Sequence, residues 1–161
     1  MPDAPSGLHL QNASVRLGGR PVLLDLSLSL TEERIGVLGR NGSGKTTFLR
    51  LLAGLIAPDQ GFVRVDGFDP FHDRRAALNG IGILFQNPDH QILFPTVEEE
   101  LAFGLAQKGL SRAEALAEAN SALQSEARAH WAKAPVTTLS QGQRHYLCLL
   151  SVLLMEPRTI L

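Results

Sequence analysis

The sequence has little or nothing of four features that are typical of other classes of protein. Its single cysteine, Cys148, excludes an internal disulfide bond and suits a reducing cytoplasm. Fifteen basic and sixteen acidic residues give a net charge of -1 without a polybasic cluster, so nucleic acid and anionic lipid are not expected as direct ligands. No apolar run approaches the roughly 20 residues that span a bilayer, and the start of the chain lacks the pattern of a signal peptide. Any role at a membrane is therefore expected to come through a partner.

The composition is typical of a globular domain. Apolar residues make up 44% of the 161 residues and charged residues 19%, which suits one folded domain. Alternating patterns predict antiparallel strands over residues 8–17 and 22–30 and a further strand over 61–67. Short apolar runs at 34–39 and 80–85 also predict strands, the second of the kind found in buried parallel sheets.

Helical patterns predict the remaining elements. Apolar spacing over 45–55 predicts a helix that Gly54 and Pro58 bring to an end. Residues 95–124 read as a mostly helical insertion, in which Thr96 is a plausible N-cap and Ser111 begins a capping box. A long, largely buried helix is predicted after Ser140.

A glycine-rich loop between the predicted strand at 34–39 and the predicted helix at 45–55 fits the pattern G-x-x-x-x-G-K-[ST]. Main-chain N–H groups of such a loop can surround a phosphate, and the helix N-terminus adds partial positive charge. Lys45 is expected to reach the β- and γ-phosphates, Thr46 to ligate Mg²⁺, and Thr47 to lie on the α-phosphate side. The alternative, a chance glycine turn, is disfavoured by the strand before the loop and the helix after it. The pattern predicts binding of ATP or GTP by Gly39, Arg40, Asn41, Gly42, Ser43, Gly44, Lys45 and Thr46.

A second motif, LSQGQR at residues 139–144, resembles the L-S-G-G-Q signature of ATP-binding-cassette ATPases. Alone, this motif would indicate only a serine N-cap. Its position about 95 residues after Lys45 of the glycine-rich loop, which is called a P-loop, favours the family resemblance. The resemblance implies that Ser140, Gln141, Gly142 and Gln143 face the γ-phosphate of an ATP held by the opposite subunit of a head-to-tail dimer.

Two positions depart from that family. Gln141 stands where the family usually has glycine, which is expected to weaken function rather than abolish it. Leu17, near the end of the first strand, stands where the family often stacks an aromatic residue on adenine. An aliphatic contact by Leu17, or one supplied by Arg16, is expected instead.

The segments FQNPDHQI and TVEEELAFG, at 85–92 and 96–104, resemble the ATPases of energy-coupling-factor importers of cobalt, nickel and vitamins including biotin. The resemblance extends from Leu8 to Leu161. It implies that Gln86 contacts Mg²⁺ and the attacking water, and that Gln86 couples nucleotide state to a membrane partner. The implied partners are a transmembrane coupling subunit, a substrate-capture protein and a second ATPase subunit, at the cytoplasmic face of the membrane.

The same family continues, after the signature helix, with a strand ending in Asp-Glu, and this sequence stops at Leu161 before it. Glu156 precedes that strand and is at the wrong end to substitute. The expectation is a C-terminally truncated domain that binds phosphate but hydrolyses ATP poorly, because the water-orienting carboxylate is missing.

Several other polar residues are given less weight. Asp66, Asp69, His72 and Asp73 read as a surface turn rather than a metal site. Residues 98–100, three glutamates, fit either a docking patch or a solvated helix start. His90, His145 and Cys148 are interpreted as structural, and Trp131 as part of a polar loop.

The predicted fold class is an α/β P-loop domain with a mainly parallel sheet, an N-terminal antiparallel β subdomain and an inserted helical subdomain. The expected division is 8–86 for the core and antiparallel part, 87–142 for the helical subdomain and 143–161 for the return to the core. The predicted function is the ATP-driven motor of an importer. Three alternatives stay open: a soluble cassette ATPase of translation or DNA repair, a P-loop kinase, and a remnant that binds ATP without hydrolysing it.

Overall fold

The computed structural model describes residues 6–161. The chain forms two compact units, one running to Ile81 and including Leu161, the other spanning Gly82–Ile160. The finer three-part division expected from the sequence stays a prediction. Within residues 6–161, no helix combines the length and the apolar character needed to cross a bilayer.

The first unit is built on a three-stranded antiparallel sheet. Strands β1 (Leu8–Leu17), β2 (Arg20–Leu30) and β3 (Gln60–Val65) lie in the order β2-β1-β3. Alternate residues of β1 are buried, so one face of the sheet covers helix α1 (Lys45–Leu52). The buried core comprises Leu8, Leu10, Ala13, Val15, Phe48, Leu51, Leu52, Val63 and Val65. The predicted antiparallel subdomain is confirmed.

The acidic turn that follows β3 caps a short helix. Asp73 accepts a hydrogen bond from the N–H of Ala76 at 3.0 Å and is the N-cap of α2 (Arg74–Gly80). The Asp69 carboxylate accepts the N–H groups of Phe71 and His72, each at 3.0 Å. These carboxylates are therefore engaged by the main chain of their own turn.

The strand predicted over 34–39 is absent, and this prediction was wrong. The segment is exposed, with Leu38 94% exposed and Ile35 39% exposed. A strand exists only where neighbouring main chain supplies hydrogen bonds, and among residues 6–161 no strand pairs with this segment. The run predicted at 80–85 contributes only β4 (Ile81–Gly82), which pairs with β5 (Thr159–Ile160).

The second unit is mainly helical, which confirms the predicted insertion. It contains α3 (Val97–Gln107), α4 (Arg112–Ser125) and α5 (Gln141–Leu154). Short 3₁₀ helices lie at Pro88–His90, Ala129–Trp131 and Val136–Thr138. The Ser111 capping box forms as predicted. The three helices meet in a core whose most buried members include Val97, Leu101, Ala115, Ala119, Leu123 and Leu147.

Two of the three glutamates at the start of α3 are buried, so the prediction of a solvated helix start was wrong for them. Glu98 and Glu100 are only 6% and 5% exposed. The Glu98 carboxylate accepts hydrogen bonds from Lys133 and, at 3.2 Å, from Asn120. The bond from Lys133 holds the pKa of Glu98 below its usual value. Thr96 occupies the predicted N-cap position, but its hydroxyl donates to Glu99 instead of capping the helix.

Candidate functional site

The glycine loop leads directly into α1, and two of its glycines have a left-handed backbone conformation. Gly42 and Gly44 have φ of +81° and +90°, a conformation in which a side chain is strained. A Cβ on Gly44 would also lie 3.2–3.3 Å from Val22 and Leu23 of β2. Gly44 is therefore required both by its conformation and by the close approach of β2.

The side chain of Lys45 lies along the loop. Its Nζ donates hydrogen bonds to the carbonyl oxygens of Gly39 and Arg40, both at 2.9 Å. The loop is closed by the N–H of Ser43, which donates to the Arg40 carbonyl at 3.1 Å. A primary amine held only by carbonyl oxygens can exchange them for phosphate oxygens, to which charge-assisted hydrogen bonds are stronger.

The residues of the glycine loop fit a nucleotide whose phosphates supply most of the ligands of a bound magnesium ion. Helix α1 has no acidic residue in its first turn, so nothing there opposes an anion at its N-terminus. Thr46 is exposed in that turn, whereas Thr47 is only 8% exposed. The described residues contain no cluster of three His, Cys, Asp or Glu side chains suited to a metal ion. Magnesium sites commonly combine one or two protein ligands with substrate phosphates and water, which Thr46 can satisfy.

Leu17 lies beside the turn of the β1–β2 hairpin, where it pairs with Arg20. Its side chain is 44% exposed. The neighbouring Arg16 is anchored through its main chain, whose N–H donates to the Asp59 carboxylate. The second strand of this hairpin is the one that contacts Gly44, so Leu17 and the glycine loop belong to one packed assembly in the first unit.

The signature residues occupy the first turn of α5. Ser140 is the N-cap, and its hydroxyl accepts the N–H of Gln143 at 3.3 Å. In return the Gln143 amide oxygen accepts the N–H of Ser140 at 2.7 Å, which completes a capping box. Gln141 and Gly142 are exposed. The structural role of Gln143 was missed, although the spacing S-x-x-Q signals it.

Gln86 lies in the second unit with these signature residues. Its side chain is exposed, and its carbonyl oxygen is 3.0 Å from Nε2 of His145 on α5. This contact could not be predicted from local sequence patterns, because the two residues are 59 positions apart. The structure thus brings Gln86 to the signature helix inside one unit, while the glycine loop and Leu17 lie in the other.

Cys148 is a core residue, as interpreted from the sequence. It is 2% exposed in α5. Burial, with smaller contributions from the charges of Glu100 and Asp89, raises the pKa of the Cys148 thiol to about 11. Folding therefore favours the neutral thiol over the charged thiolate. The contribution of the Cys148 thiol to the free energy of unfolding is fully present below the unfolded pKa of about 8.5. That contribution is lost as the pH rises towards 11.

We expect Cys148 to react with a thiol reagent at pH 8 more than about 100-fold more slowly than an unfolded cysteine, because the thiolate is the reactive form. Labelling with Ellman's reagent in buffer and in denaturing urea measures the ratio, with a free cysteine-containing peptide as reference. Fast labelling of the native protein would contradict the described burial.

Comparisons with known proteins agree on one family. Residues 23–161 match the family model described as ABC transporter. The biotin transport ATP-binding protein BioM of Rhodobacter capsulatus is 52% identical over 154 residues, which cover 96% of this chain and 66% of that protein. The energy-coupling factor transporter ATP-binding protein EcfA of Syntrophomonas wolfei is 39% identical, with 86% of this chain and 52% of that protein covered.

A solved structure shows the same fold. CbiO1 of Clostridium perfringens, described as part of the ABC transporter complex cbiONQ, superposes with a TM-score of 0.78 at 26% identity. The superposition covers 95% of this chain and 63% of that one. The chain therefore spans about two thirds of the length of such relatives.

Proposed function

The chain belongs to the ABC transporter family as an ATPase domain, and from this premise we propose that it is the ATP-hydrolysing motor of an energy-coupling-factor type importer. The observation that carries the proposal is the glycine loop, where Lys45 is held against the loop carbonyls at the N-terminus of α1. Such a loop binds the phosphates of a nucleotide.

In the first unit, Lys45 and the main-chain N–H groups of residues 39–47 would hold the β- and γ-phosphates. Thr47, which is only 8% exposed, would lie on the α-phosphate side. Leu17 would cover one face of adenine with an aliphatic surface. Thr46 is the residue of this unit that would hold Mg²⁺, which neutralises charge on the phosphates when it is bound.

In the second unit, the main-chain N–H groups at the start of α5 would bind the γ-phosphate of an ATP carried by a second ATPase subunit. The capping box already engages the Ser140 hydroxyl and the Gln143 amide, which leaves Gln141 and Gly142 exposed for this role. We infer a head-to-tail dimer in which each signature completes the partner's site.

A groove on the helical unit suits a membrane partner. It has a volume of about 360 Å³. Phe94 and Phe103 pack against each other in it, with ring centroids 5.0 Å apart and ring planes tilted by 39°. The Glu100 carboxylate fixes this wall, because it accepts the N–H groups of Leu93 and Phe94 at 2.8 and 2.9 Å. The remaining lining is apolar except for two rim charges, and comprises Ala102, Ala106, Ala115, Leu116, Glu99 and Arg112.

We assign this groove to a helix of the transmembrane coupling subunit, so that the motor lies at the cytoplasmic face of the membrane. The assignment is supported by the cbiO1 relative, which is described as part of a transporter complex. Biotin is the cargo we favour, because relatives from two organisms carry the name of biotin transport ATP-binding protein. A biotin-capture protein would then be the third partner.

We expect the full-length protein, co-expressed with its membrane partners, to co-purify with a coupling subunit in detergent and to support ATP-dependent biotin uptake. Phe103→Glu should lower recovery of the complex at least about tenfold, because it places a charge in an apolar contact. Phe62→Glu is the matched control, since Phe62 is 42% exposed on the β-sheet and Phe103 is 38% exposed in the groove.

Equal losses in the two variants would contradict the groove assignment. A wild-type protein that captures no membrane subunit would overturn the importer and favour the soluble cassette ATPase, the second candidate that the same P-loop and signature support.

A further inference from the structure

The segment around Gln86 is fastened to α5 by three side chains. His145 Nε2 is 3.0 Å from the Gln86 carbonyl oxygen. Arg144 forms an ion pair of 3.1 Å with Asp89. Gln91 donates to the Cys148 carbonyl at 3.2 Å, and its amide oxygen accepts the N–H of Phe85 at the same distance. The segment is thus held at its start, its middle and its end.

The His145 contact differs from the other two because it holds the main chain of Gln86 itself. The second ring nitrogen, Nδ1, is 3.0 Å from the carbonyl oxygen of Gln141. The ring therefore lies between main-chain oxygens of two residues that the proposed function uses. A carbonyl oxygen only accepts hydrogen bonds, so the ring donates to the Gln86 carbonyl when Nε2 carries the proton, and it donates to both carbonyls only when both ring nitrogens are protonated.

We propose that His145 is a positioning residue that ties Gln86 to the first turn of α5, so that Gln86 and the signature residues 140–143 move as one body. Gln86 is exposed, so packing of its own side chain does not fix its place. The bond from α5 supplies that restraint. The inference rests on the proposed function, and it replaces the structural reading of His145 made from the sequence alone.

The chain offers a matched pair of variants for the test. His145→Gln places an amide N–H near the position of Nε2 and keeps a donor for the Gln86 carbonyl. His145→Asn places its amide near Nδ1 and keeps only the local contact with Gln141. Both substitutions are polar and comparable in size, so the two variants differ mainly in reach.

In the full-length protein, we expect His145→Asn to lower kcat for Mg·ATP hydrolysis about fivefold to tenfold, as loss of one hydrogen bond allows. The Kd of Mg·ATP should stay within twofold, because the glycine loop is untouched. His145→Gln should retain kcat within about twofold of wild type. Equal kcat values in the two variants, or a change in Kd that matches the change in kcat, would overturn the proposal.

A second measurement separates this inference from the proposed function. Amide hydrogen exchange of residues 85–91 should be faster in His145→Asn and unchanged in His145→Gln, whether or not the protein hydrolyses ATP. A wild-type protein without Lys45-dependent hydrolysis would overturn the proposed function alone. Identical exchange in wild type and His145→Asn would overturn the link itself.

Discussion

Replacing Lys45 with alanine should lower the rate of Mg·ATP hydrolysis by the full-length protein by about 100-fold or more. The lysine amine lies on the loop with the Gly39 and Arg40 carbonyls as partners at 2.9 Å. It is the cation best placed to meet charge that develops on the γ-phosphate during transfer. Phosphate release under saturating Mg·ATP measures the loss, and equilibrium binding of ATP measures how much of it is ground-state affinity.

Arg50→Ala is the matched control for Lys45→Ala. Both variants remove one positive charge from α1, but Arg50 lies in the last turn of the helix and is exposed. Arg50→Ala should therefore keep the hydrolysis rate within about twofold, since an exposed charge at the far end of the helix is screened by solvent and salt. Hydrolysis that survives Lys45→Ala at more than a tenth of the wild-type rate would contradict the assigned role of the lysine.

The features predicted correctly from the sequence are those whose cause is local. The helix after the glycine loop, the capping box at Ser111 and the cap at Ser140 each depend on residues within one turn. The β1–β2 hairpin depends on two alternating patterns joined by a short turn. In these places the residue types and their spacing already specify the hydrogen bonds.

The features that were missed depend on distant residues. The apolar run at 34–39 has the composition of a strand, yet without a pairing neighbour among residues 6–161 it forms none. Glu98 was predicted to belong to a docking patch or to a solvated helix start, because its partner Lys133 is 35 positions away. The contact of His145 with Gln86 was not predicted either, because these two residues are also distant in the sequence.

Inside the site, two outcomes were missed although neither depends on a distant partner. The phosphate contacts indicated by the glycine pattern and the signature stay predictions, and neither pattern led to the prediction that Thr47 is buried or that Gln143 is engaged in a cap. Both outcomes follow from how the following helix is oriented and capped. A motif therefore indicates the chemistry of a site more reliably than it indicates which side chains are free to contact the ligand.

Gly54→Ala should lower the free energy of unfolding of the first unit by about 3 kcal/mol or more. Gly54 has φ of +67° and ends α1 in a Schellman motif, in which its N–H donates to Leu51 and the N–H of Leu55 donates to Arg50. An added Cβ would lie 2.0 Å from the carbonyl oxygen of Pro70. Because that atom belongs to the main chain, no rotamer change can relieve the clash, and the turn after β3 or the end of α1 must move.

Gly18→Ala separates the clash from the cost of a left-handed conformation. Gly18 has φ of +56°, and a Cβ there would meet nothing within 4 Å, so this variant should lose only about 1 kcal/mol. Hydrogen exchange of the α1 amides measures the first unit directly, whereas the fluorescence of Trp131, the single tryptophan, reports on the second. Equal losses in the two variants would mean that the turn at Pro70 yields freely, and that the conformation of Gly54, rather than its close approach to Pro70, is what requires glycine there.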